Sequence, residues 1–190
     1  LFPYTTLFRS PPTGNARRTL PRIWTARAEV GSTARIWLED SLLSAPPLPN
    51  TPAGNGLQIF RNELYVAISG AGTIVVVPFE RRDEPGIPRV HATLPAGVGC
   101  DDFAFDVHGS IYCTTDPTNL LIRLDPDGGS EILLTAADGL DGPTCASFGR
   151  NGLDRFNLYI TNAAFPFFTT TFRPSLLRLR LDVPGAPRSR

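Results

Sequence analysis

Short apolar runs alternate with turn chemistry along most of the chain. Asp102-Phe103-Ala104-Phe105 alternates as a half-buried strand does. Val107-His108-Gly109-Ser110 reads as a turn, Ile111 to Thr114 as a second strand, and Asp116-Pro117-Thr118-Asn119 as a second turn. Leu120 to Leu124 supplies a third strand, Asp125-Pro126-Asp127-Gly128 has the residues of a tight hairpin, and Glu131 to Thr135 supplies a fourth. The pattern predicts a four-stranded antiparallel meander.

That unit recurs. Tyr65, Tyr112 and Tyr159 stand at a constant pitch of 47 residues, each inside an apolar strand signal. Periods of this length built from short strands point to propeller blades. The preceding copy runs from Gly56-Leu57-Gln58-Ile59 through Leu64 to Ala67 and Thr73 to Val77, with Arg89 to Thr93 as its fourth strand. The following copy has Ala146-Ser147-Phe148, Leu158 to Thr161 and Leu176 to Leu181. Upstream, Arg22-Ile23-Trp24 and Ala34 to Leu38 read as outer strands of an earlier blade, and the proline-rich Ala45 to Pro52 as a crossing between blades. The expected fold is all-β, a β-propeller fragment of about three and a half four-stranded blades, with helices nearly absent. The expected organisation is a partial blade over 11–44, then three successive blades of one domain within 45–190, at about 53–94, 97–136 and 140–184.

Composition narrows the function classes. Formal charge is zero and the sequence pI is 6.9, which argues against a nucleic-acid partner or a polybasic membrane anchor. No apolar run is long enough for a membrane helix. Cys100, Cys113 and Cys145 form no CxxC pair, which makes a zinc site improbable and leaves room for one disulfide plus a free thiol. Leu1 to Ser10 resembles a translated sequencing adapter and is set apart from the fold over 1–10. With no methionine anywhere, the expectation is a truncated product, and localisation stays open.

In a propeller the first residues of the innermost strands converge at the axis on one face. Counting back equally from Ile59, Phe105 and Phe148 gives Asn55, Asp101 and Thr144 as equivalent positions. An amide oxygen and a carboxylate meeting there suit a hard divalent cation; alternatively, all three are polar strand starts facing a water-filled channel. The insertion Ala163 to Phe172 in the third copy carries Phe165, Phe167 and Phe168 above the same face. These phenylalanines either wall a substrate pocket, with Thr144 as a polar contact, or pack on a neighbouring blade. Cys145 beside Thr144 has no assignable base and reads as a buried structural thiol, and neither His91 nor His108 has a serine partner at useful spacing.

Asn55-Gly56-Leu57, then Asp101, then Thr144-Cys145-Ala146-Ser147-Phe148-Gly149, together with Arg123 to Gly128, resembles the senescence-marker/gluconolactonase/luciferin-regenerating family of six-bladed propellers. The resemblance spans roughly Arg22 to Pro184. It implies one axial divalent cation, calcium foremost with zinc or magnesium as alternatives, held in part by Asn55 and Asp101. It also implies a small-molecule substrate such as a lactone, with Asp101 taking a proton from the attacking water. The family commonly has Pro-Asp-Gly where this chain has Cys100-Asp101-Asp102, and the tyrosine count selects Asp101. The family's remaining Glu and Asn ligands would precede Asn55, so the chain alone is expected to bind metal poorly and not to catalyse. The competing reading is a non-catalytic propeller that binds a ligand or ion. A strictosidine-synthase-like propeller would need a catalytic Glu that these residues do not show.

Overall fold

Successive side chains along a strand leave on opposite faces of the sheet, and this chain fills both faces of its central sheets. The computed structural model describes residues 7–9, 20–45, 52–81, 84–165 and 174–187. Four antiparallel sheets follow one another in chain order. The first holds β1 (Leu7–Arg9), β2 (Arg22–Thr25) and β3 (Arg35–Glu39). The second holds β4 (Gly54–Phe60), β5 (Glu63–Ile68), β6 (Thr73–Pro78) and β7 (Arg89–Thr93). The third holds β8 (Phe103–Phe105), β9 (Ile111–Thr115), β10 (Leu120–Leu124) and β11 (Ser130–Leu134). The fourth holds β12 (Pro143–Phe148), β13 (Asn157–Asn162) and β14 (Ser175–Arg180).

Each sheet is a meander in which sequential strands are neighbours. Helical structure among the described residues is confined to short 3-10 turns. Leu7–Arg9, within the stretch the sequence sets apart, pairs antiparallel with β2, Leu7 opposite Trp24. Most of the proline-rich crossing falls outside the described residues.

Three apolar clusters join the four sheets. Ile23 and Trp37 pack against Leu64, Val66, Val75 and Val77, joining the first sheet to the second. Tyr65, Ala67, Ile74 and Val76 point the other way and meet Phe103, Phe105, Ile111 and Cys113 of the third. Tyr112 and Leu121 then pack with Ala146, Leu158 and Ile160 of the fourth. Face-to-face stacking of meanders in this order is propeller construction. At 25 cal/mol per Å², fully burying one such Val, Leu or Ile side chain contributes roughly 1.5–3 kcal/mol.

Turns hold the meanders in register. Asp106 Oδ1 accepts backbone N–H bonds from His108, Gly109 and Ser110 at 2.9, 2.9 and 3.0 Å, closing the β8–β9 turn. At the β10–β11 hairpin Gly128 has φ +95°, a conformation open to glycine but strained for residues bearing a Cβ. A disulfide links Cys100 to Cys113 with a Cα–Cα distance of 5.8 Å, and Cys145 is free. After β14 the chain crosses to the third sheet, where Val107 N–H donates to Pro184 O at 3.1 Å and Ala186 N–H to Phe105 O at 2.9 Å.

Candidate functional site

The inner strands β4, β8 and β12 lie side by side, with β8 against both others. Two backbone bonds fix the start of this array. Gly56 N–H donates to Asp101 O at 2.8 Å, and Asp101 N–H donates to Thr114 O at 2.8 Å. They hold Asn55 of the second sheet beside Asp101 of the third, and the Asn55 amide Nδ2 donates to Asp101 Oδ1. Two of the three positions equated by the repeat therefore meet. Thr144 lies in β12 with its hydroxyl 3.2 Å from Thr161 Oγ1 in the same sheet. It is not part of the cavity lining around Asn55 and Asp101.

That cavity has a volume of about 430 Å³ and is lined by Asn55, Asp101, Asp116, Ser69 and the Leu94–Gly99 stretch. Burial, with Asp116 and Asp102 nearby, pushes the Asp101 carboxyl up to about 6, against the opposing hydrogen bond from Asn55. Asp116, in the β9–β10 loop, is pushed upward by burial and by Asp141. Its Oδ1 is buried without a hydrogen-bond partner. A carboxylate oxygen left in that state is costly, and it gives the cavity an unsatisfied acceptor. Phe165 approaches Gly142 on this side: a Cβ at Gly142 would lie 3.4 Å from Phe165 Cδ2 and 3.6 Å from Asp116 Oδ1. Phe167 and Phe168 lie outside the described residues.

Asp102 faces a different way. Its carboxylate accepts from the Cys145 thiol, from Gln58 and from the Ala146 backbone, joining β8 to both neighbouring inner strands. Burial raises its pKa despite these bonds. Gly56 makes room for this packing, since a Cβ there would fall 2.7 Å from both the Asp102 Cα and its Oδ1. Burial and the bond to Asp102 push the Cys145 thiol up to about 12, which suppresses the nucleophilic thiolate.

The donor set is of the hard-oxygen type that calcium or magnesium takes. Among the described residues no three His, Cys, Asp or Glu side chains converge closely enough to hold a metal ion by themselves. Asn55 and Asp101 supply one amide and one carboxylate side chain at this cavity. Asp102, Asp116 and Asp141 carry much of the local electrostatics and were not singled out as site residues in the sequence; Asp116 lies in a segment that reads equally well as turn chemistry.

No family model matches the chain, and no curated protein matches it in sequence. Solved structures do. A calcium-binding protein, regucalcin, from Agrobacterium tumefaciens shares 17% identity at a TM-score of 0.61, over 90% of this chain and 55% of its own. A gluconolactonase from Xanthomonas campestris shares 16% at 0.56, over 93% of this chain and 47% of its own. A nidogen/laminin complex contains a chain sharing 15% at 0.62, over 88% of this chain and 58% of its own. The chain spans about half the length of the solved structures it matches. It is a stretch of β-propeller, with the fold seen in gluconolactonase and regucalcin structures.

Proposed function

We propose that this chain carries part of the axial site of a divalent-cation-dependent lactone or ester hydrolase. The observation that carries the reading is the Asn55 amide bonded to the Asp101 carboxylate across two adjacent inner strands, beside a cavity. Asn55 and Asp101 would hold the cation, with calcium foremost and zinc or magnesium as alternatives. Such an ion, when bound, supplies Lewis-acid polarisation of a carbonyl.

The chain's own residues account for the rest. Asn55 orients the Asp101 carboxyl, and Asp101 is the group that would take a proton from the attacking water. Phe165 places an apolar surface near the same cavity, in keeping with a wall for a small-molecule substrate and with Phe167 and Phe168 following in sequence. Thr144, on the neighbouring inner strand and outside the cavity lining, would be a polar contact only for a substrate that reaches beyond the cavity. The likeness to gluconolactonase supports a lactone as the substrate class.

A second reading, a propeller that binds a ligand or ion without catalysis, draws on the equal likeness to a chain of the nidogen/laminin complex. Fold alone does not choose between them. The deciding experiment is lactone hydrolysis by the completed ring, with and without chelator, beside Asp101→Ala. Activity lost under both treatments supports the hydrolase; activity indifferent to both overturns it. Calcium binding without turnover selects the second reading.

A further inference from the structure

The opposite ends of the inner strands enclose a second cavity, of about 500 Å³, which the site at Asn55 and Asp101 does not use. Its charged lining is Arg150 and Arg155, with no carboxylate among the lining residues. No ion pair among the described residues engages either arginine. The nearby acids already have partners, Asp154 accepting from the Arg150 backbone N–H among others. Asp154 accepts from the Tyr159 hydroxyl at 2.7 Å and from Asn157 Nδ2 at 3.1 Å, and Asp106 is occupied by its own turn. Arg155 Nη2 donates to Gly185 O at 3.5 Å, a long contact that leaves the guanidinium's remaining donors available.

The walls are mostly apolar. Phe148, Ile59 and Ala146 line the cavity beside the backbone of the core residue Phe105, with Gln58 and Ser147 as neutral polar groups. The enclosure is tied across three chain segments by backbone bonds. Ala186 N–H donates to Phe105 O at 2.9 Å, and Gly185 N–H donates to Arg155 O at 2.8 Å. Gly185 itself lies against Phe148 so closely that a Cβ would fall 2.2 Å from the phenylalanine Cβ. A pocket with fixed walls loses less entropy when it takes a ligand.

Unpaired guanidinium forks recognise carboxylates in bidentate fashion, and aromatic walls accept a flat apolar body. We propose that this cavity is a second binding site, at the mouth opposite Asn55 and Asp101, for a small organic carboxylate with a flat apolar body. Arg150 and Arg155 would take the carboxylate, while the half-buried Phe148 would take the body.

Benzoate and its neutral isostere benzamide are the probes, titrated into the full chain and followed by amide chemical shifts. Benzoate is expected to shift amides of Ser147–Arg155 and Phe105, and benzamide to shift them weakly or not at all. Arg150→Ala, whose side chain is exposed and whose loss should not disturb folding, is expected to weaken benzoate about tenfold, and Arg155→Ala likewise. Asp101→Asn should leave benzoate affinity unchanged. Equal binding of benzamide, unchanged affinity in both arginine variants, or shifts confined to Asn55 and Asp101 would each overturn the proposal. Inorganic phosphate binding as tightly as benzoate would reduce the pocket to a simple anion site and overturn the organic-carboxylate assignment.

Discussion

The Tyr112 hydroxyl donates to Asp106 Oδ2 at 3.3 Å, within the blade that both residues belong to. Other acids make the same connection in the neighbouring blades: Tyr65 donates to Glu63 at 2.8 Å and Tyr159 to Asp154 at 2.7 Å. The pitch of the tyrosines is thus also a pitch of tyrosine–carboxylate pairs. Burial first, and then the carboxylate, holds the Tyr65 and Tyr112 phenols well above their usual range, so both donate at any physiological pH.

Replacing Tyr112 by Phe should cost about 1 kcal/mol, the worth of one hydrogen bond. Asp106→Ala should cost more, about 3 kcal/mol, because it also strips the acceptor from three backbone N–H groups. Urea unfolding of both variants compares them, and equal costs would refute the turn-closing role of Asp106.

The contribution of Asp101 to stability should fall as pH rises through the acid range. The Asp101 carboxyl has a folded pKa of about 6, above its ordinary value of 3.8, so the folded state holds its proton more tightly than the unfolded state. The difference in bound protons makes unfolding easier as pH climbs from about 4 to about 6. Allowing for solvent screening of a half-exposed group, the loss is about 1 kcal/mol. Asp101→Asn should flatten that part of the profile and raise stability at pH 7. Thermal unfolding at pH 4.5 and pH 7 measures it, and an unchanged slope in the variant would count against the assignment.

Cys145 should be a sluggish thiol. With its pKa pushed to about 12, it presents almost no thiolate at pH 8. Labelling by a disulfide reagent is expected to run at least tenfold slower than in the urea-unfolded chain. Asp102→Asn, which removes the charge that the thiol faces, should speed it up. Labelling as fast in the folded chain as in the unfolded one would contradict the contact with Asp102.

Gly56→Ala should be severely destabilising, by about 3 kcal/mol, because the new methyl would meet backbone as well as side chain. Adding Asp102→Gly to it should not restore stability, since the Asp102 Cα and the Asp101 carbonyl would still crowd the methyl at 2.7 and 2.8 Å. Full rescue by the double variant would show that only the carboxylate was in the way.

Local chemistry made the strands legible. The bounds of Leu120–Leu124 follow from an apolar run between turn residues, and Arg89–Thr93 from its place as fourth strand in the repeat. The meeting of Asn55 and Asp101 was legible for another reason, because a fixed repeat converts a distance along the chain into a shared place in the ring. Asp102 and Asp116 escaped that logic. The partners of Asp102 come from β4 and β12, and nothing around Asp116-Pro117-Thr118-Asn119 distinguishes a turn from a cavity wall. Thr144 sits where the pairing of β12 with β13 shifts register, between Pro143 and Cys145, so a count along the strand does not report where its hydroxyl goes. Three cysteines allow three pairings, and only the antiparallel arrangement around β8 and β9 brings Cys100 to Cys113.

Three separate apolar clusters, rather than one, also give the chain a gradient of mechanical security. The second and third sheets have both faces covered by neighbours, whereas among the described residues the first and fourth have one. Opening a sheet covered on both faces breaks two apolar interfaces at once, so such sheets open last. Amide exchange should therefore be fastest in β2 and β14 and slowest in β5 and β9. Asn55 and Asp101 belong to the two sheets flanked on both sides, so the contact between them would be among the last to come apart.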